Sequence, residues 1–151
     1  MEDINAFDKF ELQLTETAKG FLREAAKWAY FLSIIGYIGL GFLVLFAFFA
    51  ASLFATMGGG EMGMMGALGG TFITVLYLII ALVYFFPIYY LNKFATNVKA
   101  AFKNDNTESL TAGFGYLKSH YKFIAILTIV GIVLYILMFV VMFVIGMGAS
   151  M

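Results

Sequence analysis

Three long apolar runs, separated by polar stretches, dominate the pattern of this sequence. They cover residues 28–54, 71–90 and 123–145, and a helix of each length reaches across the ~30 Å hydrocarbon core of a bilayer. Because backbone groups in lipid must satisfy their own hydrogen bonds, these runs predict helices and not strands. The pattern therefore predicts an all-α integral membrane protein with three transmembrane helices.

Two polar stretches carry apolar residues at helical spacing, which predicts amphipathic cytoplasmic helices continuous with the spans. The first covers residues 15–27, where Thr15 is a candidate N-cap, and its apolar stripe comprises Leu14, Ala18, Phe21, Ala25 and Trp28. The second begins a helical loop at residues 91–122, and its stripe comprises Leu91, Phe94, Ala95, Val98, Ala101 and Phe102. Within that loop Asn104, Asp105 and Asn106 predict a turn, with Thr107 or Asp105 capping the next helix. Pro87 is expected to bend the second helix as it leaves the membrane.

The remaining segments complete a single membrane domain over residues 1–151. Residues 1–14 form an acidic N-terminal tail, and residues 57–70 form a loop rich in Gly and Met. The overall composition agrees with a bilayer: 63% of the residues are hydrophobic and 12% are charged, against about 45–50% and about 25% in soluble domains.

All nine Lys and Arg residues fall on one side of the predicted membrane, before the first span or between the second and third. Cytoplasmic flanks retain such residues, so the N-terminus and the 91–122 loop are predicted to be cytoplasmic, with the Gly/Met loop and the C-terminus outside. Aromatic residues near the same boundaries suit an interfacial belt: Trp28, Tyr30, Tyr89, Tyr90, Tyr116 and Tyr121. Five lysines are predicted to contact lipid headgroups or a partner: Lys93, Lys99, Lys103, Lys118 and Lys122.

Several chemistries find no support in the sequence. No Asp, Glu, Lys, Arg or His lies within the three predicted spans, which disfavours a proton-coupled carrier or pump. There is no Cys, and His120 is the single histidine, so we expect no metal site, no cofactor and no enzyme. The zero net charge gives no indication of nucleic acid as a partner.

The methionines of the outer loop raise a weaker alternative. Thioethers select Cu(I), and Met62, Met64 and Met65 lie close together there. Packing is the favoured interpretation, because Met is a common filler and Gly-rich sequence does not preorganise a site.

Small residues within the spans predict close helix contacts, at Ser33, Gly36, Gly39 and Gly131. Three spans cannot enclose a pore, so association with a membrane-protein partner or with further copies of the chain is expected. The leading hypothesis is a non-enzymatic accessory, scaffold or assembly component of a larger inner-membrane complex. The alternative is a homo-oligomeric channel for a small neutral or metal solute.

Three stretches carry a resemblance to a known family: Lys27 to Ser33 (KWAYFLS), Tyr84 to Ala95 (YFFPIYYLNKFA) and Leu117 to Phe123 (LKSHYKF). The chain resembles a domain-of-unknown-function family of small bacterial inner-membrane proteins with about three transmembrane helices. The resemblance spans most of the chain apart from the acidic tail and the Gly/Met loop. It implies a location in the bacterial inner membrane, and it transfers no catalytic residue.

Overall fold

Three helices of equal length make up the structure, a computed structural model that describes residues 14–57 and 63–148. Helix α1 covers Glu16–Met57, α2 covers Gly63–Asn104 and α3 covers Thr107–Gly148, each with 42 residues. At ~1.5 Å per residue each helix is about 63 Å long, roughly twice the thickness of a hydrocarbon core. All three are long and apolar enough to cross a membrane.

The predicted amphipathic helices are extensions of the apolar segments and not separate elements. Residues 16–27 continue into the first apolar segment within α1, which confirms the predicted continuity. Helix α2 carries the second apolar segment and the stripe that follows it in one element, with Pro87 inside. The helix does not end at this proline, although the ring removes one backbone donor from the helical ladder.

The predicted loop at residues 57–70 is wrong in its second half, because α2 already begins at Gly63. The helix forms there in spite of the low helix propensity of glycine. A Cβ atom at Gly70 would lie only 3.2 Å from the carbonyl oxygen of Ala51 and 3.3 Å from Cβ of Phe54, so glycine permits close approach of α1 and α2. Residues 58–62 and residues 1–13 of the predicted acidic tail lie outside the described residues.

Side-chain caps and one tight turn define the helix ends. The Thr15 hydroxyl oxygen accepts a bond from the backbone N–H of Ala18 at 3.2 Å, as the predicted N-cap requires. The turn after α2 places Asp105 at a φ of 47°, and the N–H of Asn106 returns to the Ala101 carbonyl at 3.1 Å. The Asn106 side chain, and not Asp105 or Thr107, caps α3 by accepting from Glu108 N at 2.8 Å and Ser109 N at 3.2 Å.

Helix α2 lies in the middle and packs against both other helices. Among the described residues, no Cα atom of α1 lies within 8 Å of a Cα atom of α3. The main buried cluster lies at one end of the molecule, which we call the basic end: residues 16–30 of α1, 88–104 of α2 and 107–123 of α3. Every described Lys and Arg belongs to this end. Beyond it, residues 128–146 of α3, the free segment, are exposed at every position.

Candidate interaction surface

The core of the basic end is built from small residues on α1 and larger ones on α2. Ala26 and Ala29 face Phe94, Ala95 and Val98, and all five side chains are buried. Partly buried residues of all three helices surround this cluster: Leu22, Leu91, Phe102, Leu110, Tyr116 and Leu117. The apolar stripe predicted on α2 is therefore confirmed as a packed face.

The stripe predicted on α1 is not its packed face within this chain. Phe21 and Trp28 are 68% and 60% exposed, whereas Ala26 and Ala29 one step around the helix are 5% and 6% exposed. Both faces are apolar, but the alanines let the two backbones approach closely, and the large rings do not. The basic end therefore keeps a second apolar face on α1 that no other part of the described chain covers.

A polar tie joins α1 and α2 just beyond this core. The Asn92 amide donates to Oγ of Ser33 at 2.9 Å, and that hydroxyl donates to the Tyr30 carbonyl at 2.7 Å. Ser33 is fully buried. One turn along α1, Gly36 lies against the Ile88 side chain, since an added Cβ would be 2.9–3.0 Å from its carbon atoms. Two of the four predicted packing residues, Ser33 and Gly36, are thus in the α1–α2 interface.

The other two predicted packing residues, Gly39 and Gly131, have open space beside them in the described part of the chain. A Cβ atom added at Gly39 or at Gly131 meets nothing within 4 Å. Within the described chain these two glycines therefore bring no helices together. Contact with a partner molecule stays a prediction.

Helix α3 is attached to α2 by a close approach that the sequence reasoning missed. A Cβ atom at Gly113 would lie 3.1 Å from Cγ2 of Val98 and 3.5 Å from the Phe94 carbonyl oxygen. The sequence offered one signal, a glycine within the predicted helix, and residue type alone does not indicate which helix that glycine faces. Its missing side chain is what allows the backbones of α2 and α3 to meet.

Aromatic residues and the single histidine extend this attachment toward the free segment. Tyr89 and Tyr90 on α2 both have ring centroids 6.5 Å from that of Tyr116 on α3. His120 places Nδ1 2.8 Å from the carbonyl oxygen of Pro87. The three tyrosines, predicted as belt residues, thus also hold α2 and α3 together, and His120 is an interhelical tie.

The five predicted contact lysines lie on the surface of the basic end. Lys99, Lys103, Lys118 and Lys122 are exposed, whereas the half-buried Lys93 lies over the Tyr89 ring with Nζ 5.6 Å from its centroid. In the described part of the chain, the one ion pair joins Lys19 to Glu16 at 2.7 Å. The hydrogen bond from Lys19 lowers the pKa of the Glu16 carboxyl below its usual value. The five lysines therefore present charges that no acid of the described chain neutralises.

The described residues contain no group of three His, Asp or Glu side chains that could hold a metal ion. Met62 of the copper alternative lies outside the described residues, and the structure describes no side chain for Met64 or Met65. The arrangement offers surfaces for contact: exposed cations, an uncovered apolar face on α1 and the free segment of α3.

Comparison with known proteins identifies a family for this chain, and that family is one of unknown function. No curated protein and no solved structure matches the chain. The model of a family of unknown function, DUF5362, matches residues 50–143. Two of the three stretches that carried the resemblance lie in this region, and Lys27 to Ser33 precedes it. Since the match covers more than half of the sequence, the chain belongs to the DUF5362 family of unknown function.

Proposed function

We propose that the chain is an integral protein of the bacterial inner membrane that acts without catalysis, as an accessory, scaffold or assembly component of a larger complex. In this proposal the basic end and the N-terminus face the cytoplasm, and the C-terminus lies outside. The grouping of every described Lys and Arg at one end supports the orientation, because cytoplasmic flanks retain these residues. The resemblance to small inner-membrane proteins supports the location.

The observation that carries the proposal is the free segment of α3. Its side chains are apolar on all sides of the helix, and each residue from 128 to 146 is exposed. Helices in membranes associate through close van der Waals packing and interhelical hydrogen bonds, neither of which lipid tails supply. Helices α1 and α2 already pack on each other, so the free segment of α3 offers its full circumference to the helices of a partner.

Two glycines mark the positions where we expect a partner helix to approach this chain most closely. Gly39 on α1 and Gly131 on the free segment leave open space beside the helix backbone. Small residues allow another helix to approach closely at such positions. A larger side chain at Gly39 or Gly131 has space within the described chain. A change in partner binding caused by such a side chain therefore reports on contacts between molecules.

The test is affinity purification from native membranes in a mild detergent, followed by native mass measurement and identification of the proteins that accompany the chain. We expect a different protein at a fixed ratio with the wild type. Gly131→Leu and Gly39→Leu should reduce its recovery, whereas the neighbouring exposed substitutions Val133→Leu and Ile38→Leu should leave recovery unchanged. Equal helix content by circular dichroism confirms that each variant folds.

Two outcomes contradict the accessory role. A chain that purifies alone as a monomer has no partner complex under these conditions. A closed assembly that contains only this chain favours the homo-oligomeric pathway, and solute flux into vesicles then becomes the measurement that assigns its activity.

A further inference from the structure

One shallow, open groove along a face of α1 in the basic end combines cations with exposed aromatic rings. It runs along a single exposed face of α1, largely opposite the packed alanines, and is lined by Gly20, Arg23, Glu24, Lys27, Trp28 and Phe31. Gly20 lies at the N-terminal end of the groove and leaves that end open, since a Cβ atom there would meet nothing within 4 Å. From Gly20 to Phe31 the groove extends about 16 Å along the helix axis. It thus begins among the cytoplasmic charges and ends inside the predicted first span.

The two cations of this groove are available to bind an anion. In the described part of the chain neither Arg23 nor Lys27 pairs with an acid within 4 Å, Glu24 of the same groove included. The Arg23 guanidinium carbon lies over the Phe102 ring of α2, 4.6 Å from its centroid. This contact occupies one face of the planar group and leaves its N–H edges free, and those edges match the oxygen atoms of a phosphate.

The C-terminal part of the groove is aromatic and exposed. Trp28 and Phe31 are 60% and 52% exposed, and their rings meet edge to face with centroids 6.0 Å apart. Within the described chain the indole N–H of Trp28 donates no hydrogen bond. Tryptophan favours the level where headgroups meet acyl chains, because its ring is apolar and its N–H is polar.

We propose that this groove binds a phospholipid with an anionic headgroup. The headgroup phosphate contacts Arg23 and Lys27, the glycerol region lies beside Trp28, and an acyl chain runs along Phe31. The order of charges, indole and phenyl ring along α1 follows the order of chemical groups along such a lipid. This inference rests on the membrane placement in the proposed function, and it is independent of the accessory role.

The sequence supplies its own reporter, because Trp28 is the only tryptophan. The full chain is reconstituted into phosphatidylcholine vesicles that contain phosphatidylglycerol as the minor component. Bromine is placed on the acyl chains of one lipid at a time, at equal mole fraction, and quenching of Trp28 fluorescence measures which lipid lies beside the indole. We expect brominated phosphatidylglycerol to quench more strongly than brominated phosphatidylcholine.

Two matched variants decide whether the groove is responsible. Each basic residue near an anionic surface contributes about fivefold to the affinity, so Arg23→Gln with Lys27→Gln should lower the preference by about thirtyfold and bring the two quenching curves together. Lys99→Gln with Lys103→Gln removes the same charge from exposed positions on α2 and should preserve the preference.

Other results overturn the proposal. Equal quenching of the wild type by both brominated lipids means that the groove does not select an anion. Equal loss in the two double variants means that bulk charge, and not this groove, attracts the lipid. An absence of quenching by either lipid contradicts the membrane placement as well, whereas failure of the accessory role appears only in the purification.

Discussion

The basic end and the free segment of α3 both carry apolar side chains, but only the basic end buries them. In the basic end, alanines and a glycine bring three helices together around buried Phe94 and Val98. The free segment is at least as apolar but is exposed at every position. Close packing thus depends on small residues that allow backbone approach, and hydrophobicity by itself does not produce it. The chain holds α3 from one end only.

The largest effect is expected at Gly113, where the basic end attaches α3. Gly113→Val places branched carbon atoms against Val98 and the Phe94 carbonyl, and overpacking of this kind costs about 3 kcal/mol. Because the chain has no Cys, spin labels at Thr96→Cys and Thr111→Cys can report the α2–α3 distance. We expect the distance to broaden and lengthen.

Gly115→Val provides the control for this prediction, since a Cβ atom there meets nothing within 4 Å. The same broadening in both variants would mean that helix propensity, and not the close approach at Gly113, determines the change.

A smaller effect is expected at Gly36, which lies in the α1–α2 interface. Gly36→Val forces the Ile88 side chain to move, at a cost of about 2 kcal/mol in the free energy of unfolding. Ile88→Ala in the same chain should restore part of that loss, because it removes the atoms that clash. Unfolding in a detergent series measures both changes.

Gly39→Val is the matched variant for Gly36, because its position on α1 is open. It should leave the stability of the monomer unchanged. A loss equal to that of Gly36→Val, or no rescue by Ile88→Ala, would show that the contact does not stabilise the interface.

The polar tie should contribute less than the close approaches. Ser33→Ala removes the acceptor for the Asn92 amide, and interhelical hydrogen bonds in membranes contribute about 0.6 kcal/mol on average and about 1.7 at most. We expect a loss of about 1 kcal/mol. Ser52→Ala is the control, since that exposed hydroxyl bonds only to the Phe49 carbonyl of its own helix. A double-mutant cycle with Asn92→Ala that gives no coupling would exclude the tie.

The smallest effect is expected where the basic end meets solvent, at the first turn of α1. The pKa of Glu16 is lowered by its bond to Lys19, so the ionised carboxylate favours the folded turn. This stabilisation is present above the ordinary carboxyl pKa and is lost as pH falls through the lowered value. Hydrogen exchange should then accelerate at the first turn alone, and Glu16→Gln should abolish the pH dependence. We expect the packed core around Ala26 to be independent of the Glu16–Lys19 pair. Faster hydrogen exchange around Ala26 at low pH would contradict that expectation.

Much of the architecture follows from the sequence, because run length and amphipathic spacing are local properties. They predict the three helices, the stripe on α2 and the turn at Asp105. The packed face of α1 does not follow, since both of its faces are apolar and the choice between Phe21 and Ala26 depends on the partner helix. The same reason explains why Gly36 and Gly39 look equivalent in the sequence while only Gly36 lies in an interface.

The interhelical ties also escaped prediction. Pairing His120 with the Pro87 carbonyl depends on how α2 and α3 align after the turn, which periodicity within one helix does not fix. The start of α2 at Gly63 also escaped prediction, because the composition of this Gly-rich segment is typical of a loop.

The one-ended attachment of α3 also has a mechanical consequence. Helix α3 is continuous from Thr107 to Gly148, and after the half-buried Leu127 every residue up to 146 is exposed. The part of the helix after Leu127 is a lever arm about 30 Å long whose pivot is at Leu127, about two turns beyond the contact of His120 with Pro87. A tilt of about 5° at the pivot moves the far end by about 3 Å over that length. A small change of angle at the basic end is thereby converted into a displacement of several ångströms at the far end of α3.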